Sequence, residues 1–234
     1  MNEAKYFYLN FIKKEGIARD VFTFYFDRVK RRSVGKLNFL AGQYVHIYLP
    51  VINEKSRGNS RMFTIASSPL EKDYISIVTK KGNSIFKKAL FNLKPKTSVK
   101  FYGPSGSLVI DEAKKSSYVF LAPGIGITPF RSIIKYVSQK DLNIPIVLFA
   151  SFSKKEEVLF STELTSISKT YPNIKIVYAL NRINEELIKK YVRNINKHLY
   201  YIVGPALAIA DLEEVVSGMG VESWKIFLED FEGY

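Results

Sequence analysis

The feature that most constrains this chain is a change of rhythm near residue 110. From residue 5 to about 110, short runs rich in Val, Ile, Tyr and Phe alternate with turn residues, at 6–11, 21–26, 44–49, 62–66, 75–79 and 98–102. Such spacing predicts six strands of an antiparallel β-barrel. One helical stretch, 84–91, interrupts them, and the polar segment 53–60 reads as a loop. Beyond residue 115, buried apolar runs (118–122, 146–150, 174–180, 200–203, 225–228) alternate with helical segments (129–138, 159–168, 184–192, 206–218). That alternation predicts an α/β domain with a parallel sheet built from strand–helix–strand units. The natural boundary is 110–116, which divides the chain into a barrel over residues 1–112 and a nucleotide-type domain over 113–234.

With 234 residues, 47% of them hydrophobic and 14% aromatic, the chain can fill two modest cores. It has no cysteine, which removes disulfides, thiolate-bound zinc, iron–sulfur clusters and cysteine nucleophiles, so any redox chemistry must use an organic cofactor. His46 and His198 are too few for a three-histidine metal site and lie in or beside apolar runs. Each is expected to be a packed or surface imidazole, and no metal is expected. A formal net charge of +13 attracts phosphates, nucleic acid or an acidic protein. The basic residues are scattered, as at Lys13-Lys14, Lys30-Arg31-Arg32 and Lys114-Lys115, rather than gathered on one recognition helix, so no nucleic-acid partner is expected. No apolar run reaches the ~18 residues of a membrane span, and the polar start lacks a signal-peptide pattern. A soluble cytoplasmic protein is the expectation.

Ligands of open parallel sheets bind outside the carboxyl ends of the strands, with the first strand–helix turn as the favoured phosphate site. Here that turn is Pro123-Gly124-Ile125-Gly126-Ile127-Thr128-Pro129. Its glycines let the backbone approach a ligand, Thr128 is placed to cap the helix, Pro129 suits the first helical position, and free amides at a helix start attract phosphate. A plain structural turn fits the same residues, and the full Gly-x-Gly-x-x-Gly fingerprint is not present. On the barrel, alternation along Arg61-Met62-Phe63-Thr64 puts Arg61 and Phe63 on one face, a guanidinium for a pyrophosphate and a ring for a planar heterocycle. An edge arginine beside a core phenylalanine is the plain alternative. Lys81-Gly82-Asn83-Ser84 opens the barrel helix and suits either a phosphate or an ordinary serine-capped turn.

Taken in order, these segments resemble the motifs of the ferredoxin-NADP reductase superfamily. Arg61-x-Phe63-Thr64 is similar to its Arg-x-Tyr/Phe-Ser/Thr flavin motif, and Gly82-Asn83-Ser84 to its second, pyrophosphate-binding motif. Gly103-Pro104-Ser105-Gly106 resembles the barrel exit, Gly124 to Pro129 the nicotinamide-domain turn, and Gly204-Pro205 the second dinucleotide motif. The ending Glu229-Asp230-Phe231-Glu232-Gly233-Tyr234 is similar to the carboxyl terminus of a bacterial branch. The resemblance covers nearly the whole chain.

The resemblance implies FAD on the barrel and NADPH or NADH on the second domain, their reactive rings meeting at the interface. Hydride would pass between them, and electrons would pass singly to or from a separate, acidic carrier such as ferredoxin or flavodoxin. By the same resemblance Arg61 binds the FAD pyrophosphate, with Gly82 and Ser84 on its other side and Met62, Lys81 and Asn83 beside them. Phe63 flanks the flavin, and Thr64 stands near its N5. Gly124, Gly126, Thr128, Gly204 and Pro205 line the nicotinamide path. Glu229 corresponds to the active-site carboxylate, and Phe231 or Tyr234 covers the flavin ring. Val203 replaces a cysteine found in many relatives. After the second parallel strand, Ser151 and Lys154 are nucleotide candidates, and Ser153 stands where relatives place an arginine for the 2′-phosphate. With Lys154 and Lys155 nearby and no acidic residue directly at the strand end, the reading leans to NADPH. Two other functions fit the chain: a reductase component of an oxygenase or a ferric-siderophore reductase, and, outside this class, a basic nucleic-acid- or nucleotide-binding module without turnover.

Overall fold

The computed structural model describes residues 5–28, 37–50, 59–114 and 116–230. The chain folds as two units, residues 1–109 and 110–234. The first holds β1 (Lys5–Ala18), β2 (Val21–Asp27), β3 (Tyr44–Tyr48), β4 (Ser60–Thr64), β5 (Tyr74–Lys80), α1 (Ile85–Phe91) and β6 (Ser98–Ser105). The strands form an antiparallel sheet in the order β4-β3-β6-β1-β2-β5. β1 serves two neighbours: its first residues pair with β6 and its later ones with β2, and register shifts at Phe11/Lys13 and Gly16/Ala18 bend it between them. Just beyond β4, Ala66 N–H donates to the Ser76 carbonyl (2.7 Å) and Ser76 N–H to Ser67 Oγ (3.0 Å), which closes the sheet into the expected barrel.

Alternation builds the barrel core. Phe7, Leu9 and Phe11 of β1 point inward, while Tyr6 and Tyr8 point out. Phe24, Phe26, Val45, Ile47, Ile75, Ile77, Val99 and Phe101 fill the interior, with Phe26 and Phe101 edge to face at 5.0 Å. α1 closes one end: Ser84 Oγ accepts the Lys87 N–H (3.2 Å), and Phe86 and Leu90 enter the core. Arg28, only 7% exposed, donates to the carbonyls of Pro69 (2.7 Å), Glu71 (2.9 Å) and Leu37 (3.2 Å). It therefore pins the loop that follows β4.

The second unit holds β7 (Ser117–Pro123), α2 (Ile127–Gln139), β8 (Ile146–Ser151), α3 (Ser161–Thr170), β9 (Ile174–Ala179), α4 (Glu185–Tyr191), β10 (His198–Gly204), α5 (Ala206–Gly218) and β11 (Ile226–Asp230). All strand pairs are parallel, in the order β11-β10-β7-β8-β9. The chain winds from β7 through β8 and β9, then returns to the other side for β10 and β11, so the winding reverses at β7. Val119 to Ala122 are fully buried, as expected of a strand covered on both faces. Phe120 stacks on Phe130 of α2 at 4.4 Å, and Arg131 and Lys135 of α2 both bind Glu163 of α3. His198 is a structural imidazole, its ring nitrogens 2.8 Å from Ser117 Oγ and 2.9 Å from the Arg193 carbonyl. No described helix is long and apolar enough to cross a membrane.

The turn after β7 corrects one expectation. Gly124–Gly126 forms a 3-10 turn that begins the spiral early, so Gly126, not Thr128, precedes the first residue of α2, and Pro129 is its third residue rather than its first. Thr128 is buried and its hydroxyl donates to the Ile125 carbonyl (2.7 Å). Pro129 is tolerated there because the first N–H groups of a helix have no acceptor within it. Gly126 packs so closely on β10 that a Cβ would fall 1.8 Å from the Val203 carbonyl oxygen. Gly124 has φ +57° but open space around the Cβ position. Gly126→Ala should therefore lose more than ~2 kcal/mol of stability in urea unfolding, and Gly124→Ala only ~1 kcal/mol. The reverse ranking would refute this account of the turn.

Candidate functional site

At the carboxyl ends of β7, β8, β9 and β10 opens a cleft of about 470 Å³. It is walled by Pro123, Gly124 and Ile125 from the first turn, Ser151, Phe152, Ser153 and Glu157 after β8, Leu180, Asn181 and Arg182 after β9, and Pro205. This is the crevice where the winding reverses, the place open parallel sheets bind their ligands. Gly124 presents bare backbone to it. Of the expected nucleotide residues, Gly124, Ser151 and Pro205 line the cleft.

Three others stand behind the wall. Gly126 and Thr128 are buried packing residues. Gly204 is buried as well, and a Cβ on it would meet Pro123 Cγ at 2.6 Å. Their part is to seat the two turns against each other. Lys154 is exposed and is not among the lining residues. The cation on the cleft is instead Arg182, at the end of β9, its side chain 89% exposed and paired with Asp211 at 2.9 Å. Sequence reasoning missed it by looking one strand too early. It also missed Glu157, six residues past Ser151, which returns to the cleft and places a carboxylate on its wall.

Glu229 lies on β11 opposite Val203, one position before the Gly204–Asp230 pair, and so at the same carboxyl edge of the sheet. Burial raises its carboxyl from the ordinary 4.5 to about 7. Phe231 and Tyr234 lie outside the described residues.

In the barrel, β4 and the head of α1 come together. The Arg61 guanidinium sits 5.7 Å from the centre of the Phe86 ring and donates to the Ser60 carbonyl (2.8 Å). Phe63 is 2% exposed, belongs to the core and stacks on Phe86 at 5.9 Å. Arg61 and Phe63 do share a face, as expected, and it is the inner one, where Phe63 packs in the barrel core. Met62 and Thr64 lie on the other face. Among the described residues, only Arg28 Nε and Thr64 Oγ1 are buried polar side-chain atoms without a hydrogen-bond partner. Ser84 caps α1, while Lys81, Asn83 and Ser84 are exposed and Gly82 half-buried beside them. Lys87, which the sequence reading passed over, folds back across Gly82. Its stem would lie 2.8 Å from a Cβ there, and its ammonium donates to the Lys80 carbonyl at 2.8 Å. Burial, then the charge of Lys80, lowers its pKa.

Two family models match the chain, the oxidoreductase FAD-binding domain over residues 8–110 and the oxidoreductase NAD-binding domain over residues 120–213. The chain belongs to the ferredoxin-NADP reductase superfamily. It thus carries an oxidoreductase FAD-binding domain followed by an oxidoreductase NAD-binding domain. The flavohemoprotein of Bacillus subtilis is 23% identical over 235 residues, covering 94% of this chain and 57% of that protein. The reductase component DmpP of phenol 2-monooxygenase from Pseudomonas sp. is 27% identical over 151 residues, 63% of this chain and 41% of that one. The chain therefore spans about half the length of such relatives. Ferredoxin-NADP+ reductase from Plasmodium falciparum shares the fold, with a TM-score of 0.77, 19% identity and coverage of 96% and 95% of the two chains.

The residues present fit both groups. The unpartnered Thr64 hydroxyl meets the need of a ring bearing hydrogen-bonding atoms. Arg61 offers a charge-assisted contact beside the opening of α1, and the Gly124 backbone faces an open cleft.

The raised pKa of Glu229 has a thermodynamic sign. The folded chain holds a proton that the unfolded chain releases between about pH 4.5 and 7, so this group favours folding below that window and the advantage disappears as pH rises through it. Between about pH 5 and 8 the wild type should lose Tm relative to Glu229→Gln, whose side chain does not titrate. A constant Tm difference across that range would refute the assignment.

Proposed function

We propose that this reductase oxidises NAD(P)H at the carboxyl edge of its parallel sheet and, through FAD held on the barrel, passes electrons to a separate protein, a ferredoxin or a flavodoxin. The observation that carries the barrel half is the meeting of Arg61 with the head of α1 through Phe86, one strand turn from the unpartnered Thr64 hydroxyl. When bound, FAD supplies the exchange of a hydride with nicotinamide and the division of its two electrons into single steps.

The residues of the chain hold and orient. Arg61 binds a pyrophosphate with the Gly82–Ser84 lead-in opposite, and Lys87 adds a second positive charge there. The Thr64 hydroxyl gains a partner in the flavin ring, with Met62 on the same face. Gly124 lets the dinucleotide lie against backbone, and Pro205 shapes the wall facing it. Glu229 holds a proton near neutral pH at the edge of the sheet. On the cleft rim Arg182 faces the choice of dinucleotide: a guanidinium pairs well with a 2′-phosphate, while Glu157 suits ribose hydroxyls. Among the described residues Arg182 pairs with the exposed Asp211, so it can turn to a phosphate, and we read NADPH as the preferred donor.

The net charge of +13 favours an acidic carrier. The likeness to DmpP supports a second reading, the reductase component of an oxygenase. Uptake of FAD separates both from a binding module without turnover. Apo-protein titrated with FAD should take up one equivalent and turn yellow; a protein that stays colourless overturns the proposal. Arg61→Ala should weaken FAD binding roughly tenfold or more. Arg182→Gln should cut kcat/KM for NADPH by about tenfold and leave NADH unchanged, and equal losses with both nucleotides would count against the NADPH reading.

A further inference from the structure

The loop that leaves β8 ends under backbone strain. Residues 152–160 join β8 to α3, and Phe152, Ser153 and Glu157 of that loop line the cleft. Its last residue, Phe160, immediately precedes α3 with φ +56° and ψ +19°, in the left-handed region. Among the described residues five that are not glycine have positive φ, and three of these are Asp or Asn, whose short polar side chains tolerate that region. A phenylalanine gains no local hydrogen bond there, so its surroundings must hold it. Nor does it serve the helix, since Phe160 supplies no side-chain cap to the first amides of α3.

What holds it comes from α2. The Arg131 guanidinium lies 5.3 Å from the centre of the Phe160 ring. The same group is bidentate on Glu163 of α3, Nε to Oε2 at 2.7 Å and Nη2 to Oε1 at 2.9 Å, and Lys135 donates to Oε1 at 2.8 Å. The side chains of Arg131 and Glu163 are only 11% and 29% exposed, so salt screens this pair far less than a surface pair. At the other end of the loop Phe152 is buried and its N–H donates to the Ala179 carbonyl (2.9 Å). Leu159, just before Phe160, is buried as well. Between these fastenings the chain makes a single 3-10 turn, Lys155–Glu157, which brings Glu157 to the cleft wall. The turn at Gly124–Gly126 opens the same helix α2, so one helix sets both the first wall of the cleft and, through Arg131, the wall made by the loop.

We propose that Phe160, Arg131 and Glu163 are positioning residues for the dinucleotide: the strained turn and the ion pair behind it hold Glu157 where its carboxylate takes a ribose hydroxyl. The inference rests on the reductase reading above and names residues that act on that cleft through Glu157. Relaxing Phe160 into ordinary backbone would swing the residues before it, and a shift of a polar group by an ångström is enough to weaken a bound ligand. A packing role alone would leave nucleotide affinity indifferent to Phe160.

The test uses the FAD-loaded full chain, ferricyanide as the acceptor, and NADH as the donor because both hydroxyls of its adenine ribose are free. Phe160→Gly adopts the left-handed turn without strain and loses the ring beneath Arg131. Its KM for NADH should rise about fivefold while kcat stays within about twofold, with little change in Tm because the relieved backbone offsets the lost contact. Phe160→Tyr keeps the ring and should keep the wild-type KM. Glu163→Gln should raise KM as Phe160→Gly does. If it folds poorly, Lys135→Met, which removes one of the two cations on Glu163 and leaves Arg131 in place, should give a smaller rise. The comparison with Glu157→Gln shows what the turn acts through: once that carboxylate is gone, adding Phe160→Gly should change KM by less than about twofold. Effects of Phe160→Gly and Glu157→Gln that multiply in full overturn the positioning role and leave the reductase reading standing. So does a wild-type KM in folded Phe160→Gly and Lys135→Met, whether or not Tm falls. A wild type that oxidises neither NADH nor NADPH with ferricyanide overturns the reductase reading, and this inference with it.

Discussion

The second unit depends on the missing side chain of residue 126. The turn leaving β7 lies against β10 with no room for a Cβ before the Val203 carbonyl, and Gly204 returns the favour by admitting the ring of Pro123. Two strand ends are thereby drawn together at the place where the winding of the sheet reverses. Everything on the carboxyl edge follows from that contact: the bare backbone of Gly124, the wall formed by Pro205, and the cleft into which the loops after β8 and β9 bring Glu157 and Arg182. Packing, not ligand contact, is why those glycines must be glycines.

The barrel solves its problem with side chains. Phe86, driven into the core by the amphipathic turn of α1, gives Phe63 a stacking partner and Arg61 a surface to lie on. One buried ring therefore places the cation of β4 beside the opening of α1, two segments more than twenty residues apart in sequence. The cost is borne by Thr64, whose hydroxyl is buried without a partner, an expensive arrangement in an unliganded protein and a natural one where a polar ring comes to lie beside it.

How much of this was legible depends on whether the information was local. Alternation along Tyr6-Phe7-Tyr8-Leu9 is a local signal, as is Ser84 ahead of an apolar helical face, and the corresponding elements stand where such patterns put them. Alternation also showed that Arg61 and Phe63 share a face, but only the closed barrel reveals that the face is the core side. Thr128 and Pro129 looked like a helix start because the 3-10 turn before them has no distinctive residue of its own. Arg182 could not be preferred over Lys154 from spacing, since which loops wall a cleft depends on the order of strands in the sheet. Lys87 was hidden for a similar reason: its role arises from a long side chain folding back over a glycine, which no periodicity records.

Arg28 carries an implication for how the molecule responds to acid. Its guanidinium is held by three carbonyl oxygens, and burial lowers its pKa from a starting value so high that it keeps its proton wherever the protein is folded. The anchor on the loop after β4 is thus insensitive to proton concentration. Glu229, by contrast, changes charge close to neutrality. Of these two groups, then, the barrel's is a fixed fastening, while the one on the last strand of the nucleotide unit is a variable one.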